Sequence, residues 1–323
     1  MYRRIVLALL IAFASIGIAR SQDFPERAIT LVVNFAPGGL TDVPARMIAP
    51  GMQALLGEPV VVVNKAGASG VVGGSYVDRA TPDGYTLLVS GISEVQNSFY
   101  IHVPYDVEKD FVPIGKIANG PPLVLAVVGS SPFKSVGDLV AYAKAHPSMA
   151  NVATTGPATS PAIALSQLNA AAGTKIAAIA YQGSGPAAAA VAGGQVSAGF
   201  VWLPSIAGMI GSGKVRILAV ATAQRVSVLP DVRTLDELGY KHFDHNAFVG
   251  LLAPRQTPQP VIDKLNAAIN KAIAAPGFAD KLRAFGMTIP PQPNTPQSYA
   301  AFIAEQLGNQ RELAKLSADH RKP

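Results

Sequence analysis

The segment Ile29–Asp42, ITLVVNFAPGGLTD, constrains this chain more than any other. Its run of apolar, mostly β-branched residues reads as a buried strand. Ala36-Pro37-Gly38-Gly39 breaks that strand, and Thr41 with Asp42 reads as the cap and first turn of a helix. A strand, a glycine turn and a helix in this order build α/β sheets. The arrangement leaves backbone N–H groups bare at a helix N-terminus, where anions bind. Asp42 can equally do no more than complete the helix end, and glycine is common in any tight turn. The segment therefore sets a geometry before it names a ligand.

A similar turn recurs at Asn151–Ser160. There Thr154, Thr155, Gly156, Pro157, Ala158 and Thr159 lead into Ser160-Pro161, a good cap and first-turn pair. Two such turns facing each other from two lobes would clamp a carboxylate with N–H and hydroxyl dipoles instead of Arg or Lys. Each N–H bond to a charged group is worth roughly 1.5–3 kcal/mol. The competing reading is an ordinary Thr/Ser-rich loop. Tyr181-Gln182-Gly183-Ser184-Gly185 follows a strand and can line the same cleft. Trp202 sits at a strand end beside Pro204, where it either walls the cleft or packs in the core. A third strand exit, Asn64–Gly70, reads as a tight turn before a helix at Val71–Ala80.

The rest of the chain keeps the strand–helix alternation of α/β proteins. Further strands are expected at Val60–Val63, Tyr85–Val89, Leu123–Val128, Asn151–Thr154, Ile176–Tyr181, Ala198–Leu203, Arg216–Ala221 and Phe248–Ala253. Leu40–Leu56 is expected to be a helix with Val43, Met47, Leu55 and Leu56 on its inner side, a kink at Pro50 and Gly57 closing it. Helices are also expected from Ser135 to about Ala145, over Pro186–Ala192, after Thr257-Pro258 and after Thr295-Pro296.

With 323 residues and 49% apolar content, the chain is long enough for two domains with well-buried cores. Tyr2-Arg3-Arg4, the apolar stretch Ile5–Ala19 and the small residues Ala19 and Ser21 read as a secretory signal over residues 1–21, cleaved before Gln22. An uncleaved membrane anchor is the alternative. Removing Arg3, Arg4 and Arg20 with that segment lowers the net charge from +6 to +3. The remaining Lys and Arg form no basic run, so nucleic acid is not an expected partner. The absence of cysteine excludes disulfides, cysteine-ligated metals and a lipid anchor on an N-terminal cysteine. The mature chain is expected in an extracytoplasmic space.

Other motifs fail on inspection. Gly208–Lys214 nearly fits a phosphate loop, but Val215 stands where Ser or Thr should ligate Mg²⁺, and the loop precedes a strand. His242-Phe243-Asp244-His245 has no further strong ligands nearby and reads as surface histidines. Ser69 lacks the setting of a hydrolase nucleophile. No metal, cofactor or catalytic residue is expected.

Many ordered blocks carry a family likeness. They are Phe24-Pro25-Glu26-Arg27, Phe35–Gly39 with Thr41, Asp42 and Arg46, Leu56–Val62, Asn64–Gly70, Pro82–Leu88 and Asp110–Ile114. Tyr181-Gln182-Gly183, Gly193–Val196, Leu229–Val232 and Ala253-Pro254 continue the series. On these, from about Phe24 to about Tyr299, the chain resembles the extracytoplasmic solute-binding receptors of tripartite tricarboxylate transporters, the Bug (TctC-like) family. The resemblance implies an α/β, two-lobed periplasmic-binding-protein fold of type II-like form with the ligand cleft between lobes. Lobe 1 would hold residues 22–122 plus 223–323, and lobe 2 residues 123–222, with the second crossing within 221–248. It implies a monomeric periplasmic receptor, not an enzyme, that takes a small organic acid and hands it to membrane permease subunits. The ligand-binding positions it implies are Phe35, Ala36, Pro37, Gly38, Gly39, Thr41 and Asp42, with Thr154, Thr155, Gly156, Ala158 and Ser160. Tyr181, Gly183 and Trp202 join them from the reading of the residues. The chain departs from the family pattern at Asn34 (usually Pro), at Gly156–Pro161 (usually a Gly/Ser turn followed by His), at Gln182 (usually Lys) and in a tail without the common Trp. A ligand-presenting sensor, or an enzyme on the same fold, are the other readings.

Overall fold

The computed structural model describes residues 24–319. The expected signal at 1–21 lies outside them. Two five-stranded sheets organise the described residues. The first contains β1 (Ile29–Val33), β2 (Val60–Asn64), β3 (Thr86–Ser90), β4 (Phe111–Asn119) and β10 (Phe248–Pro254), in the order β2-β1-β3-β10-β4. The second contains β5 (Leu123–Val128), β6 (Asn151–Thr154), β7 (Ala177–Ala180), β8 (Ala198–Trp202) and β9 (Val215–Val220), in the order β7-β6-β8-β5-β9. In each sheet the second strand, β1 or β6, runs parallel to both neighbours, and the last two strands pair antiparallel. The same plan is thus built twice, although no short repeat is visible in the sequence. β1, β5, β8 and β10 are almost wholly buried, which is why they read as continuous apolar runs.

Helix α1 (Asp42–Leu56) follows β1 and ends at Gly57, whose left-handed φ of 81° lets its N–H reach Gln53 O at 3.0 Å. It is one helix through Pro50. The expected inner face is rotated. Ala45, Ile48, Ala49, Met52 and Leu56 are buried at helical spacing, whereas Leu55 is 44% exposed. Helix α2 (Val71–Asp78) and the short helix α3 (Ile92–Gln96) follow β2 and β3. In the second half α4 (Val136–Ala145) starts on a capping box of Ser135 and Asp138. Then come α5 (Ser160–Ala172), α6 (Ser184–Ala192) and the single turn α7 (Ala207–Ile210).

The last helices, α8 (Gln259–Ile273), α9 (Phe278–Arg283) and α10 (Pro296–Asp319), belong to the first half. Gly51 of α1 sits so close to α8 that a Cβ there would lie 2.9 Å from Ala272 Cβ. Gly250 of β10 leaves room for the Tyr299 ring of α10, whose hydroxyl lies 2.7 Å from Ser90 Oγ. The chain leaves the first sheet after Asn119, enters the second at Leu123, and returns between Val220 and Phe248.

Four elements have no counterpart in the sequence reading: β4, α3, α7 and α9. Pro113, Gly115 and Lys116 interrupt the apolar pattern of β4. The Asn294 side chain braces it instead, accepting from Lys116 N–H and donating to Lys116 C=O. Caps also differ. Thr41 precedes α1 but makes no side-chain cap bond, Thr159 rather than Ser160 is the residue before α5, and Pro258 rather than Thr257 precedes α8.

Candidate functional site

The carboxyl ends of β1, β3, β6 and β8 deliver their loops to one place, the position where α/β sheets bind ligands. A narrow cavity lies there between the two halves. From the first half come Phe35, Gly39, Leu40, Ile92, Ser93 and Gln96, and from the second Thr155, Thr159, Ser160, Ser184 and Trp202. About 20 Å³ is open to the centre of a water molecule, room for roughly one or two waters. The halves are therefore shut on each other.

Backbone closes them. Ala36 N–H donates to Gln182 O at 2.9 Å. A Cβ on Gly183 would lie 2.9 Å from Ala36 N, and one on Gly185 would lie 2.0 Å from Pro37 O. A Cβ on Gly156 would lie 2.4 Å from Ser69 Oγ. Main chain from one half thus rests on main chain or short side chains of the other. The Asn64–Gly70 loop, read as a plain turn, takes part through Ser69. Ala68 and Ser69 adopt φ of 47° and 56°, a left-handed strain that non-glycine residues rarely carry. One side chain spans the gap: Gln96 donates through Nε2 to Ala158 O at 2.7 Å and accepts from Ser160 Oγ at 3.0 Å.

The first turn is braced from behind. Asp42 accepts from Gly38 N–H at 2.9 Å, Arg46 Nε at 3.0 Å and Asn64 Nδ2 at 2.9 Å. Burial alone would raise the Asp42 carboxyl, but the bonds from Arg46, Gly38 and Asn64 outweigh it and hold it below its ordinary value. Two N–H groups of this turn, those of Ala36 and Gly38, are therefore already used, and the turn is less bare than its sequence implies. In the second turn Thr155 Oγ1 donates to Thr159 Oγ1, which donates to Gly156 O. These hydroxyl protons are turned toward protein acceptors.

Three helix N-termini still converge on the cavity: α1 through Gly39 and Leu40, α5 through Thr159 and Ser160, and α6 through Ser184. Their aligned peptide dipoles make the space favourable to negative charge. No residue lining it is charged. Next to the lining residue Ser93 is the carboxyl of Glu94, buried in α3. Burial pushes Glu94 up to about 7, against the bonds it accepts from Gly91 N–H, Ser93 Oγ and Asn34 Nδ2.

Of the residues expected at the site, Phe35, Gly39, Thr155, Ser160 and Trp202 line the cavity. Ala36, Pro37, Gly38 and Gly183 lie where the halves meet. Gly156 faces Ser69, and Ala158 contributes its carbonyl to Gln96. Thr41, Asp42 and Thr154 are buried behind the turns, and Tyr181 packs against the smaller core of the second half. Trp202 does both things considered for it, lining the cavity and joining the core. Leu40, Thr159 and Ser184 fall inside the loops named from the sequence, whereas Ile92, Ser93 and Gln96 have no counterpart in that reading. The signal for these last three was Gly91 after an apolar strand, with Ile92 and Val95 at helical spacing.

Among the described residues no group of His, Cys, Asp and Glu is arranged to hold a metal ion, and no helix is long and apolar enough to cross a membrane. His242 is exposed, whereas His245 is partly buried. Its Nε2 lies 2.7 Å from Gln167 Oε1, and burial pushes it down to about 4.

The profile of the family described as tripartite tricarboxylate transporter family receptor matches residues 44–317. Protein BugT of Bordetella pertussis is 36% identical over 306 residues, covering 94% of this chain and 93% of BugT. MatC from Rhodopseudomonas palustris, solved with bound malate, is 31% identical, with a TM-score of 0.84 over 90% of this chain and 100% of that one. Another R. palustris protein, solved with adipate, is 30% identical, with a TM-score of 0.83 over 90% of this chain and 97% of that one.

Proposed function

This chain belongs to the tripartite tricarboxylate transporter receptor family, and from that premise we propose that it is a periplasmic receptor that closes on a small organic acid and delivers it to membrane permease subunits. We take the two lobes as residues 24–122 with 248–319, and residues 123–247, because Val226, Val228, Leu229 and Val232 pack on the core of the second half and Leu235 N–H bonds to Val220 O. The reading rests on one observation above all: the space between the halves is lined by uncharged groups and pointed at by three helix N-termini. Such a site holds a carboxylate by oriented dipoles. Similar proteins solved with malate and adipate support a ligand of that class. A receptor of this kind needs no acid, base or metal, so we read the chain as a non-enzyme.

Thermal unfolding against mono-, di- and aromatic carboxylates, amino acids and sugars tests the proposal. A true ligand at about 100 times Kd adds about 2.7 kcal/mol of stability. Stabilisation by uncharged compounds alone would refute the carboxylate assignment. Prolonged incubation should return the ligand chemically unchanged; a product would refute the receptor reading.

A further inference from the structure

Glu94 is a carboxyl group with no cation to balance it, set directly behind the cavity wall. It takes part in none of the ion pairs among the described residues. Its partners are neutral: Gly91 N–H at 2.6 Å and Asn34 Nδ2 at 2.5 Å, one to each carboxylate oxygen. The third is Ser93 Oγ, at 3.2 and 3.3 Å from the two oxygens. Ser93 lines the cavity and Glu94 does not. A hydroxyl has one proton. While Glu94 is ionised, the Ser93 proton points backward to it, and the cavity meets only Ser93 lone pairs. Once Glu94 holds a proton, Ser93 is free to donate forward.

We propose that Glu94 is a positioning residue for the ligand: by holding or releasing a proton it sets Ser93 as donor or acceptor, and a carboxylate is bound with Glu94 protonated and one proton taken up. The proposal rests on the reading of this cavity as a carboxylate site. Two negative charges separated by one serine side chain in a closed space with room for few waters repel strongly, and protonation of Glu94 removes one of them. Its partly balanced surroundings, with burial opposed by neutral donors, leave the proton available near neutral pH.

The other groups around Glu94 do not substitute for it. Burial, with the Glu94 charge as a lesser cause, pushes Tyr105, on the loop after α3, and Tyr299 of α10 above the ordinary tyrosine range, so they stay neutral. Asp78 of α2 acts on Tyr105. Asp42, at the neighbouring turn, is matched by Arg46 at 3.0 Å. Lys116 of β4 lies over the Phe302 ring, with Glu305 acting on it.

Calorimetric titration of the full mature chain with malate, succinate and adipate tests this, run from pH 6 to 8.5 in buffers of different ionisation enthalpy. For whichever binds, the expected result is uptake of close to one proton above pH 7 and a Kd that rises up to tenfold per pH unit there. Below pH 6.5 the Kd should level off. Glu94→Gln should give a Kd constant within about twofold across the range and no proton uptake. Ser93→Ala should weaken binding and cut the proton uptake. Tight binding by the wild type without proton uptake, or unchanged pH dependence in Glu94→Gln, would overturn the proposal while leaving the receptor reading intact. Failure of every carboxylate to bind would overturn the receptor reading and this proposal with it.

Discussion

Gln96 Oε1 accepts a hydrogen bond from Ser160 Oγ at 3.0 Å, across the gap between the two halves. The same side chain donates to Ala158 O. Gln96 is 1% exposed, so removing it strands two buried groups, each of which costs about 1–3 kcal/mol when left unpaired. Gln96→Ala should therefore weaken ligand binding at least tenfold. Small-angle scattering of the liganded protein should show a less closed particle. Unchanged affinity would mean that this bridge plays no part in closure.

Gly185→Ala gives a cleaner block. Its Cβ would lie 2.0 Å from Pro37 O on the opposite half, a distance no real contact allows. Within its own half, alanine suits the first turn of α6. The unliganded fold should melt within about 2 °C of the wild type, while affinity falls by more than tenfold. Gly208→Ala, outside the cavity and with nothing within 4 Å of its Cβ, is the control. Equal effects of the two substitutions would refute the closure argument.

Asp42→Ala should act through the turn. It frees Gly38 N–H, Asn64 and Arg46 at once. The loss should be about 1–3 kcal/mol of stability, read by urea unfolding, with weaker binding as the turn relaxes. Arg46 is half exposed, so Arg46→Ala should cost less.

Glu94 and His245 oppose each other in pH. Raising Glu94 from 4.5 to about 7 means the folded protein takes up a proton, so this contribution is full below pH 4.5 and is lost as pH rises through 7. Lowering His245 from 6.5 to about 4 means the folded protein sheds a proton, so that contribution is full above 6.5 and is lost as pH falls through 4. Each is worth about 3 kcal/mol at most. The two slopes nearly cancel between pH 4.5 and 6.5. Glu94→Gln should melt progressively higher, relative to wild type, as pH rises across that window; His245→Gln should show the reverse trend. Parallel melting curves for all three proteins would contradict both assignments.

Much of this could be read from the chain because it is local. β1, β5 and β10 are apolar runs with Gly or Pro at or soon after their ends, and the turns after β1 and β6 announce themselves through Gly38, Gly39, Gly156 and Pro157. What escaped depends on burial that a sequence does not display. Helix α3 carries Ser93, Glu94 and Gln96 in only five residues, and its burial depends on the second half and α10, which lie far away in the chain. The choice between Thr159 and Ser160 as helix-capping residue was set by the extended backbone of Thr159, at ψ 154°, not by side-chain type. The inner face of α1 was misplaced because Leu55 looks core-forming, while small Ala45 and Ala49 do the packing against the sheet and α8. The closing contacts of Gly183 and Gly185 could not be assigned at all, since their partners, Ala36 and Pro37, lie far away in the chain.

The halves meet largely through main chain: Ala36 N–H, Gln182 O, Pro37 O and the Cα atoms of Gly183 and Gly185. Peptide groups are the same whatever side chains they bear. Substitutions at Phe35, Ile92 or Trp202 would therefore reshape the lining of the cavity while leaving these main-chain contacts between the halves in place.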